Sequence, residues 1–450
     1  MTDCTRSTLS FSSLGSKAVV ADFLGGRLTT DAGALLLREL AESTGLFDAL
    51  NAAIPDPRHP VFITHDQRSM IAQRVIAIAL GYEDLNDHQA LRTDPALQLS
   101  ASTLPDSELP LASPSTLCRL ENRVDRKALV RVARVLVDQF IAAHPTPPEH
   151  LLLDFDATDD RVHGHQEGRF FHGYYDHYCF LPLYVFCGDE LLVPYLRTSD
   201  IDASKHTRAV LKLLVDRLRA AWPAVKITIR GDSGFCRWRL MRWCDSHGIG
   251  YILGLAQDVA LKRRACNEIE GAEREFRRTG EPQRIFGSFS YGAGTWDRAR
   301  RVIVKGEHLA KGANPRFVVT NLPGDPKWLY EEVYCLRGEM ENRIKEQQLD
   351  LFADRTSCHR FVANQFRLLL SAAAYVLIQA LRRVGLEGTE MARAQVGTIR
   401  LKLFKVAARV VVTARRVVFH LASSYPYREV FQEALRRLTG VPACQPAGTG

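Results

Sequence analysis

The sequence predicts an α/β protein in which helices flank a mixed sheet, with a helical N-terminal domain before the sheet and a β-rich insertion within it. Three observations support this fold class. Apolar residues recur at helical spacing up to about residue 145, three β-type runs follow from residue 151, and helices and strands then alternate as far as residue 257. At 450 residues, 46% of them hydrophobic, the chain can bury two or three domain cores. The predicted ranges are 1–147, 148–257, 258–325, 326–390 and 391–450.

The N-terminal range, residues 1–147, is expected to be a helical DNA-binding domain. Asp31 is a candidate cap for the helix ALLLRELAEST, and Thr64 or Asp66 for QRSMIAQRVIAIALG. Ser113, before Pro114, predicts the start of another helix. That helix carries the polar residues Ser115, Thr116, Arg119 and Arg123. It could enter a DNA groove as in helix-turn-helix proteins, and an ordinary packed helix fits the pattern equally well.

The central ranges predict the sheet. LLLDFDAT, HYCFLPLYVFCG and ELLVPYLRTSD form a predicted meander, and a helix over residues 204–221, the strand VKITIRGDSGF, a helix over 237–246 and the strand YILGLA follow. This β-β-β-α-β-α-β order indicates both antiparallel and parallel pairs. Residues 258–325 contain further β-type runs, such as RARRVIVKG, and are predicted to be an inserted subdomain. Helices resume in residues 326–390, the predicted second part of the core.

Charge is unevenly distributed along the chain, whose formal net charge is +8. Between Met391 and Arg428 no residue is acidic and eight are basic: Arg393, Arg400, Lys402, Lys405, Arg409, Arg415, Arg416 and Arg428. A solvated surface usually mixes both signs, so this stretch, in the predicted basic segment 391–450, favours a surface that faces phosphate. The β-branched runs of TIRLKLFKVAARVVVTARRVVFHLAS predict a hairpin there.

Other features limit the protein class. No signal-peptide core and no stretch of roughly 20 apolar residues is apparent, so neither secretion nor a membrane span is expected. The ten cysteines include no C-x-x-C pair, which predicts reduced thiols and a cytoplasmic protein. Neither a phosphate-binding P-loop nor a G-x-S-x-G nucleophile elbow occurs. The histidines in VHGHQEGRFFHGYYDHY lack zinc-site spacing.

Four aspartates stand within seven positions in LLLDFDATDD. Asp154 and Asp156 are two apart on a predicted strand and therefore share a face. Two carboxylates side by side repel each other unless a cation lies between them or one takes a proton. Asp159 and Asp160 fit either a solvated turn or a part of the same site.

Two later segments supply further candidate ligands. Asp232, in IRGDSGF, follows a strand, where sites gather in α/β sheets, although it could instead cap the helix near residue 237. In YCLRGEMENRIKEQQLD, helical spacing aligns one mixed stripe: Tyr334, Arg337, Glu341, Lys345 and Gln348. An exposed, salt-bridged helix would show the same stripe. Carboxylates from two strands and one helix can together hold a pair of Mg²⁺ or Mn²⁺ ions for phosphodiester chemistry.

These segments also resemble a known family. DFDATDDRVHGHQEGRFFHGYYDHYCFLPLYVFCGDELL, LRTSDIDASKH, IRGDSGFCRWRLMRWC and Y-x-x-R-x-x-x-ENRIKE, with the following NQFRLLLSAAAY, occur in order over about residues 150–385. In them the chain resembles the DDE-type insertion-sequence transposases, most closely the IS-thirteen-eighty group. The resemblance implies an RNase-H-like core that binds two Mg²⁺ ions, with Mn²⁺ as an alternative, cuts transposon ends and joins them to target DNA.

Carried over by motif, the catalytic and metal-binding triad is Asp156, Asp232 and Glu341. Asp156 is preferred because D-A-T resembles the pattern after the first aspartate of that core, and Asp154 remains a competitor. The resemblance implies that Tyr334 and Arg337 contact DNA phosphate. Where the family signature has a lysine after the glutamate, this chain has Gln348, and Lys345 on the same helical face is the candidate replacement.

The resemblance also implies partners. These are the terminal inverted repeats and the target DNA, bound by a homodimer in a synaptic complex in the bacterial cytoplasm, associated with the nucleoid. Trp296, within the insertion, fits either stacking on a flipped base or core packing. Two other classes stay open: a transposase-derived DNA-binding protein that no longer cuts, and an RNase-H-like nuclease that hydrolyses without joining.

Overall fold

The computed structural model describes residues 8–440, and the chain divides into two compact units. The first unit contains the described residues of Met1–Asn51, Asp56–Leu120 and Ala380–Gly450. The second contains Ala52–Pro55 and Glu121–Gln379. The helices up to about residue 120 and the basic C-terminal segment thus belong to one unit, whereas residues 126–142, also predicted as N-terminal helix, belong to the other.

The N-terminal part of the chain forms three short strands and then a series of helices. Strands β1 (Leu9–Leu14) and β2 (Lys17–Ala21) form an antiparallel hairpin, and β3 (Leu28–Thr29) follows. The helices are α1 (Ala34–Thr44), α2 (Leu46–Ala53), α3 (Gln67–Leu80), α4 (His88–Leu91) and α5 (Pro95–Ser100), with 3₁₀ turns at Pro60–Phe62 and Leu85–Asp87.

Helix caps in this part agree only partly with prediction. Asp66 caps α3, where its carboxylate accepts a hydrogen bond from Ser69 N at 2.8 Å. The prediction that Asp31 caps α1 is wrong, because the N-cap is Gly33. The Asp31 carboxylate is buried and instead pairs with Lys405 Nζ at 2.6 Å, since a buried charge needs a partner of opposite sign.

Helices α6 (Pro114–Arg123) and α7 (Arg126–Ala142) follow. Ser113 accepts a hydrogen bond from Thr116 N at 3.4 Å at the start of α6, and Asp125 accepts one from Ala128 N at 2.7 Å at the start of α7. Helix α6 carries the four polar residues considered for a DNA groove, and Arg119 among them is exposed.

A nine-stranded mixed sheet forms the centre of the second unit. Its strands are β4 (His150–Ala157), β8 (Leu183–Cys187), β9 (Glu190–Tyr195), β10 (Lys226–Gly231), β11 (Gly250–Leu255), β12 (Gln283–Tyr291), β13 (Arg300–Leu309), β14 (Gly312–Ala313) and β15 (Arg316–Thr320). Their order is β12-β13-β15-β11-β10-β4-β8-β9, and β14 pairs with β13. Strand β10 runs parallel to both of its neighbours, β4 and β11. The predicted mixed α/β class is therefore confirmed.

The remaining elements before residue 280 are short strands and helices. A small sheet of β5 (Asp160–Arg161), β6 (Phe170–His172) and β7 (His177–Phe180) follows β4 in the chain. The helices are α8 (Thr207–Ala221), α9 (Trp238–Ser246), α10 (Val259–Arg264) and α11 (Cys266–Thr279). Alternate residues of β4 and β10, such as Leu153 and Ile229, pack with Leu214 of α8 in the main core.

The predicted insertion, residues 258–325, contains α10 and α11 as well as β12–β15. Strand β15 pairs with β11, and β13 pairs with β15, so these strands extend the main sheet and do not form a sheet of their own. Trp296 packs against the main core, with its ring centroid 5.7 Å from that of Tyr291, which favours the packing alternative.

A helical segment runs from Pro326 to Asp350 with a changing hydrogen-bond pattern. It consists of α12 (Pro326–Trp328), a π-helical part (Leu329–Tyr334), a 3₁₀ part (Cys335–Arg337), α13 (Gly338–Lys345) and a second π-helical part (Glu346–Asp350). We call it the glutamate helix. It carries the whole predicted stripe from Tyr334 to Gln348.

The chain then forms α14 (Phe361–Ala380), a π-helical part (Leu381–Gly385), α15 (Val396–Ile399), a further π-helical part (Arg400–Phe404), β16 (Ala408–Thr413), β17 (Arg416–Leu421) and α16 (Arg428–Thr439). Strands β16 and β17 form the predicted hairpin, and β16 also pairs with β3. In the basic segment, Lys405 and Arg400 are engaged within the first unit, whereas Arg409, Arg415 and Arg416 are exposed.

We expected no stretch that is long and apolar enough to span a membrane, and this expectation is wrong, because one helical stretch meets both conditions. Within residues 8–440, the helical stretch Phe361–Gly385 has 25 residues, and its most apolar window has a mean hydropathy of 1.5. That window is 89% buried inside the protein. A core helix needs the same apolar composition as a membrane helix when protein surrounds it on most sides.

Candidate active site

Two of the predicted carboxylates lie where neighbouring parallel strands end. Strands β4 and β10 pair in register, with Phe155 opposite Gly231. Asp156 is the next residue of β4, and Asp232 is the first residue after β10. Because both strands run in the same direction, their ends meet at one edge of the sheet. Asp232 also caps a 3₁₀ turn over Ser233–Phe235, and its Oδ1 accepts a hydrogen bond from Gly234 N at 2.8 Å.

Asp154 is held in a buried ion pair. Its Oδ1 accepts from Arg230 Nε at 2.5 Å and its Oδ2 from Arg230 Nη2 at 2.7 Å, while both side chains are only 5–6% exposed. Arg230 also donates to the carbonyl oxygen of Val333 in the glutamate helix. Burial raises the pKa of the Asp154 carboxyl, and Arg230 opposes the rise. Both oxygens of Asp154 are thus engaged in joining β4 to β10.

Asp156 is more accessible, with its side chain 14% exposed. Its Oδ2 accepts from Arg337 Nη1 at 3.1 Å, and its Oδ1 accepts from Ala157 N at 2.9 Å. Burial raises the pKa of Asp156 to about 6, Arg337 opposes this, and the negative charges of Asp232 and Glu341 add to it. The electrostatic influence of both other predicted triad members therefore reaches Asp156.

Arg337 bridges the strand and the helix. Its Nη2 lies 3.5 Å from Glu341 Oε1, one turn along the glutamate helix, while its Nη1 contacts Asp156. The predicted i,i+4 neighbours therefore meet. Glu341 is about half exposed, whereas Arg337 is largely covered. A single guanidinium thus partly neutralises two carboxylates that come from different elements.

Tyr334 reaches the same place because Gly254 of β11 has no side chain. A Cβ atom at Gly254 would lie 2.6 Å from Tyr334 Oη and 2.8 Å from Ser233 N. Burial raises the pKa of the Tyr334 hydroxyl, Arg337 lowers it, and Asp232 raises it further. The phenol therefore lies between β11 and the turn that carries Asp232.

The last two residues of the stripe differ in their surroundings. Lys345 is exposed. Gln348, at the position where the family signature has lysine, donates from Nε2 to the carbonyl oxygen of Asp159 at 3.0 Å. This hydrogen bond joins the glutamate helix to the turn after β4.

Within residues 8–440, no three His, Cys, Asp or Glu side chains are positioned so that together they could hold a metal ion. Of the histidines after β4, His177 is engaged elsewhere, with its Nε2 2.8 Å from Asp159 Oδ2. The oxygen donors Asp156, Asp232 and Glu341 suit a hard divalent cation in type, and Arg337 provides positive charge among them.

Sequence patterns did not reveal several residues around the site. Arg230 was missed as the partner of Asp154, although a charge inside the strand ITIRG is a signal for a buried pair. Asp160 was expected to fit a solvated turn or the site, yet it is only 1% exposed, and burial raises the pKa of its carboxyl well above the usual range. Gly254 carried no distinguishing signal in the sequence.

A known protein family matches almost the whole chain. The sequence model of the family described as transposase DDE domain group 1 matches residues 11–443. Among solved structures, the chain is similar to the piggyBac transposase in its synaptic complex with hairpin DNA. The two structures align with a TM-score of 0.40, and their sequences are 13% identical. The alignment covers 93% of this chain and 84% of the piggyBac transposase chain. No curated protein matches the chain.

Proposed function

The chain belongs to the transposase DDE domain family, and on that premise we propose that it cuts DNA at transposon ends and joins those ends to target DNA. Within the family, we assign it to the IS-thirteen-eighty group on the long ordered motifs between residues 150 and 385. The enzyme would work in the bacterial cytoplasm, on nucleoid DNA.

We propose that the core is RNase-H-like. The proposal is supported by the order of the five central strands, β9-β8-β4-β10-β11. Strands β4, β8 and β9 form an antiparallel meander. Strands β10 and β11 run parallel to β4. Helix α8 connects β9 to β10, and α9 connects β10 to β11. The N-terminal helical range 1–147 is proposed to bind DNA.

We propose Asp156, Asp232 and Glu341 as the catalytic carboxylates. The observation that carries this assignment is the Arg337 bridge between Asp156 and Glu341, at the sheet edge where Asp232 follows β10. Asp154 is the weaker candidate because both of its oxygens are committed to Arg230. Two divalent cations, Mg²⁺ or Mn²⁺, would activate water or a 3′-hydroxyl and stabilise the leaving oxygen.

The neighbouring residues are proposed to position DNA. Arg337 would exchange one of its carboxylate contacts for a backbone phosphate, since guanidinium groups bind both anions in similar geometry. Tyr334 would donate its hydroxyl hydrogen to a phosphate oxygen, and the exposed Lys345 would contribute charge. The exposed arginines of β16 and β17 would contact DNA that flanks the cleavage site.

Two copies of the chain would together hold the two transposon ends.

Gln348 favours a second candidate function, a DNA-binding protein that no longer cuts. A lysine at this position would offer a positive charge, whereas the Gln348 amide is bonded to the Asp159 carbonyl. The triad favours the enzyme, because a protein that only bound DNA would not need three carboxylates close enough to raise the pKa of Asp156.

One experiment separates these functions. Purified protein, Mg²⁺ and a labelled duplex carrying the element's end are incubated with target DNA, and products are resolved on denaturing gels. We expect nicks at the end followed by joined products. Binding without nicking by the wild type would support the non-cleaving protein, and nicking without joining would support a nuclease.

Variants of the same protein test the site. Asp232→Asn should abolish nicking while retaining DNA binding, because the amide cannot replace a carboxylate as ligand. Asp216→Asn is the matched control, because Asp216 is an exposed residue of α8 and does not belong to the triad. Its Oδ2 forms an ion pair with Lys212 Nζ, 3.0 Å apart. Equal nicking by wild type and Asp232→Asn would disprove the assigned site.

A further inference from the structure

A cavity of about 580 Å³ opens in the second unit where α8 and α9 begin. Two segments line it: Asp202 with residues 204–209, and residues 237–240. It adjoins the turn that carries Asp232, because a Cβ atom at Gly234 would lie 3.5 Å from the Cβ of Ala203. The cavity is therefore separate from the triad but close to its second carboxylate.

The lining contains more basic than acidic side chains. Its basic side chains are Lys205, Arg208, Arg237 and Arg239, against the single acidic side chain of Asp202. Asp202 is already paired with Arg237, with Oδ2 2.6 Å from Nη2. Burial and the charges of Arg197 and Lys205 lower the pKa of His206 below its usual value, so its ring is neutral at pH 7. The excess positive charge favours an anion.

Thr207 contributes a donor without a partner. It is the first residue of α8, lines the cavity and is only 1% exposed, yet its hydroxyl has no hydrogen-bond partner. An unsatisfied buried hydroxyl costs stability, and a ligand that accepted its hydrogen bond would offset that cost. Neither α8 nor α9 has a side-chain cap, which leaves N–H groups at both helix starts available to an anion.

A buried arginine supports the loop of the cavity from within. Arg197 is 2% exposed and donates from Nη1 to the carbonyl oxygens of Ala203 and Lys205 at 2.8 and 2.7 Å. Its Nη2 has no hydrogen-bond partner, and burial lowers its pKa to about 10. These contacts hold the loop in place and add a poorly compensated positive charge beneath it.

We propose that this cavity binds a backbone phosphate of the DNA strand that enters the active site. The proposal rests on the transposase function and goes beyond it by adding a phosphate site on the Asp232 side of the triad. The Thr207 hydroxyl and the helix N–H groups donate to the phosphate oxygens, and Lys205 and Arg239 neutralise its charge.

The test measures the binding of a fluorescein-labelled duplex by anisotropy over a range of KCl concentrations. The plot of log K against log[KCl], where K is the association constant for DNA, has a negative slope. The double variant Lys205→Gln/Arg239→Gln should make that slope less steep by at least about 0.9, the value for one neutralised phosphate. The control Lys212→Gln/Arg278→Gln removes two exposed, ion-paired charges outside the cavity and should leave the slope unchanged. Equal slopes for the wild type and the cavity variant overturn the proposal.

Thr207→Val separates binding from folding. We expect about three- to tenfold weaker DNA binding, because one hydrogen bond to the phosphate is lost. The melting temperature should stay the same or rise, since a methyl group replaces an unsatisfied hydroxyl. Unchanged affinity, or weaker binding only together with a lower melting temperature, contradicts the role of Thr207.

Two further outcomes distinguish the source of the phosphate and the function itself. If inorganic phosphate raises the melting temperature of the wild type but not of Thr207→Val, while the KCl slopes stay equal, the cavity takes a free anion and the DNA assignment is wrong. If the wild type binds and nicks DNA but the cavity variants are unaffected, only the cavity proposal fails. If the wild type does neither, the transposase function fails as well.

Discussion

Replacing Asp154 and Asp156 separately by asparagine should have opposite effects on stability and catalysis. Both substitutions preserve size and remove one negative charge from the same face of β4. Asp154 is bound through both oxygens to Arg230, whereas Asp156 has one contact with Arg337, which also contacts Glu341. The first change therefore damages a buried pair, and the second changes the candidate active site.

The expected magnitudes follow from burial. Asp154→Asn leaves the Arg230 charge uncompensated at about 6% exposure, and breaking a buried pair in this way costs about 3–5 kcal/mol. For a unit of this size that corresponds to a melting temperature lower by roughly 10 °C. Asp156→Asn should change stability by less than about 1 kcal/mol, because its contact with Arg337 is single and partly exposed, and burial already disfavours its charge.

The assay combines thermal unfolding with nicking of transposon-end DNA at a temperature well below both transitions. Asp154→Asn should nick at a reduced but measurable rate, and Asp156→Asn should bind DNA without nicking it. Adding Arg230→Met to Asp154→Asn removes the uncompensated charge and should recover part of the lost stability. The reasoning is refuted if Asp154→Asn unfolds like the wild type and does not nick, while Asp156→Asn nicks normally.

His88 is fully buried, and burial together with the charge of Arg74 lowers its pKa to about 3. The histidine therefore binds a proton more readily in the unfolded chain than in the folded one. The folded state loses stability as the pH falls below about 6.5. Urea unfolding should show about 2 kcal/mol less stability at pH 5 than at pH 8 from this group, and His88→Gln should remove that difference. Burial, and then the charge of Asp354, raises the pKa of Asp160 well above its usual range, so its charged form destabilises the fold at high pH. Asp160→Asn should raise the melting temperature at pH 8 but not near pH 4, and a rise of equal size at both pH values would exclude this cause. Gly254→Ala should displace Tyr334 and reduce nicking strongly with little loss of DNA binding, whereas Gly294→Ala, where a Cβ meets nothing within 4 Å, should nick like the wild type.

Much of the fold could be predicted because its signals are local. Alternating apolar residues mark β4, β10 and β11, and helical spacing marks α3, α8 and α14. The β16–β17 hairpin follows from β-branched runs beside each other in the chain. The continuation of the sheet from β11 into β15 and β13 was not predicted, because strand pairing depends on contacts between distant segments that hydropathy does not encode.

The candidate site shows the same division. Helical spacing alone aligned Arg337 with Glu341, and strand geometry alone gave Asp154 and Asp156 a shared face. The sequence could not distinguish the two aspartates, since the partner of Asp154 is Arg230, 76 residues away, and the partner of Asp156 is Arg337, 181 residues away. Likewise, no local pattern indicated that Asp160 is buried or that Gln348 bonds to Asp159.

By itself, then, the sequence determined most of the strands and helices of the central sheet, which family the chain resembles, and which carboxylates are candidates. Only the tertiary structure decided which of those carboxylates are committed to ion pairs and which basic residues surround a cavity. The physical reason is that secondary structure depends on neighbours a few residues apart. Burial and charge pairing depend on residues that meet only after the chain has folded.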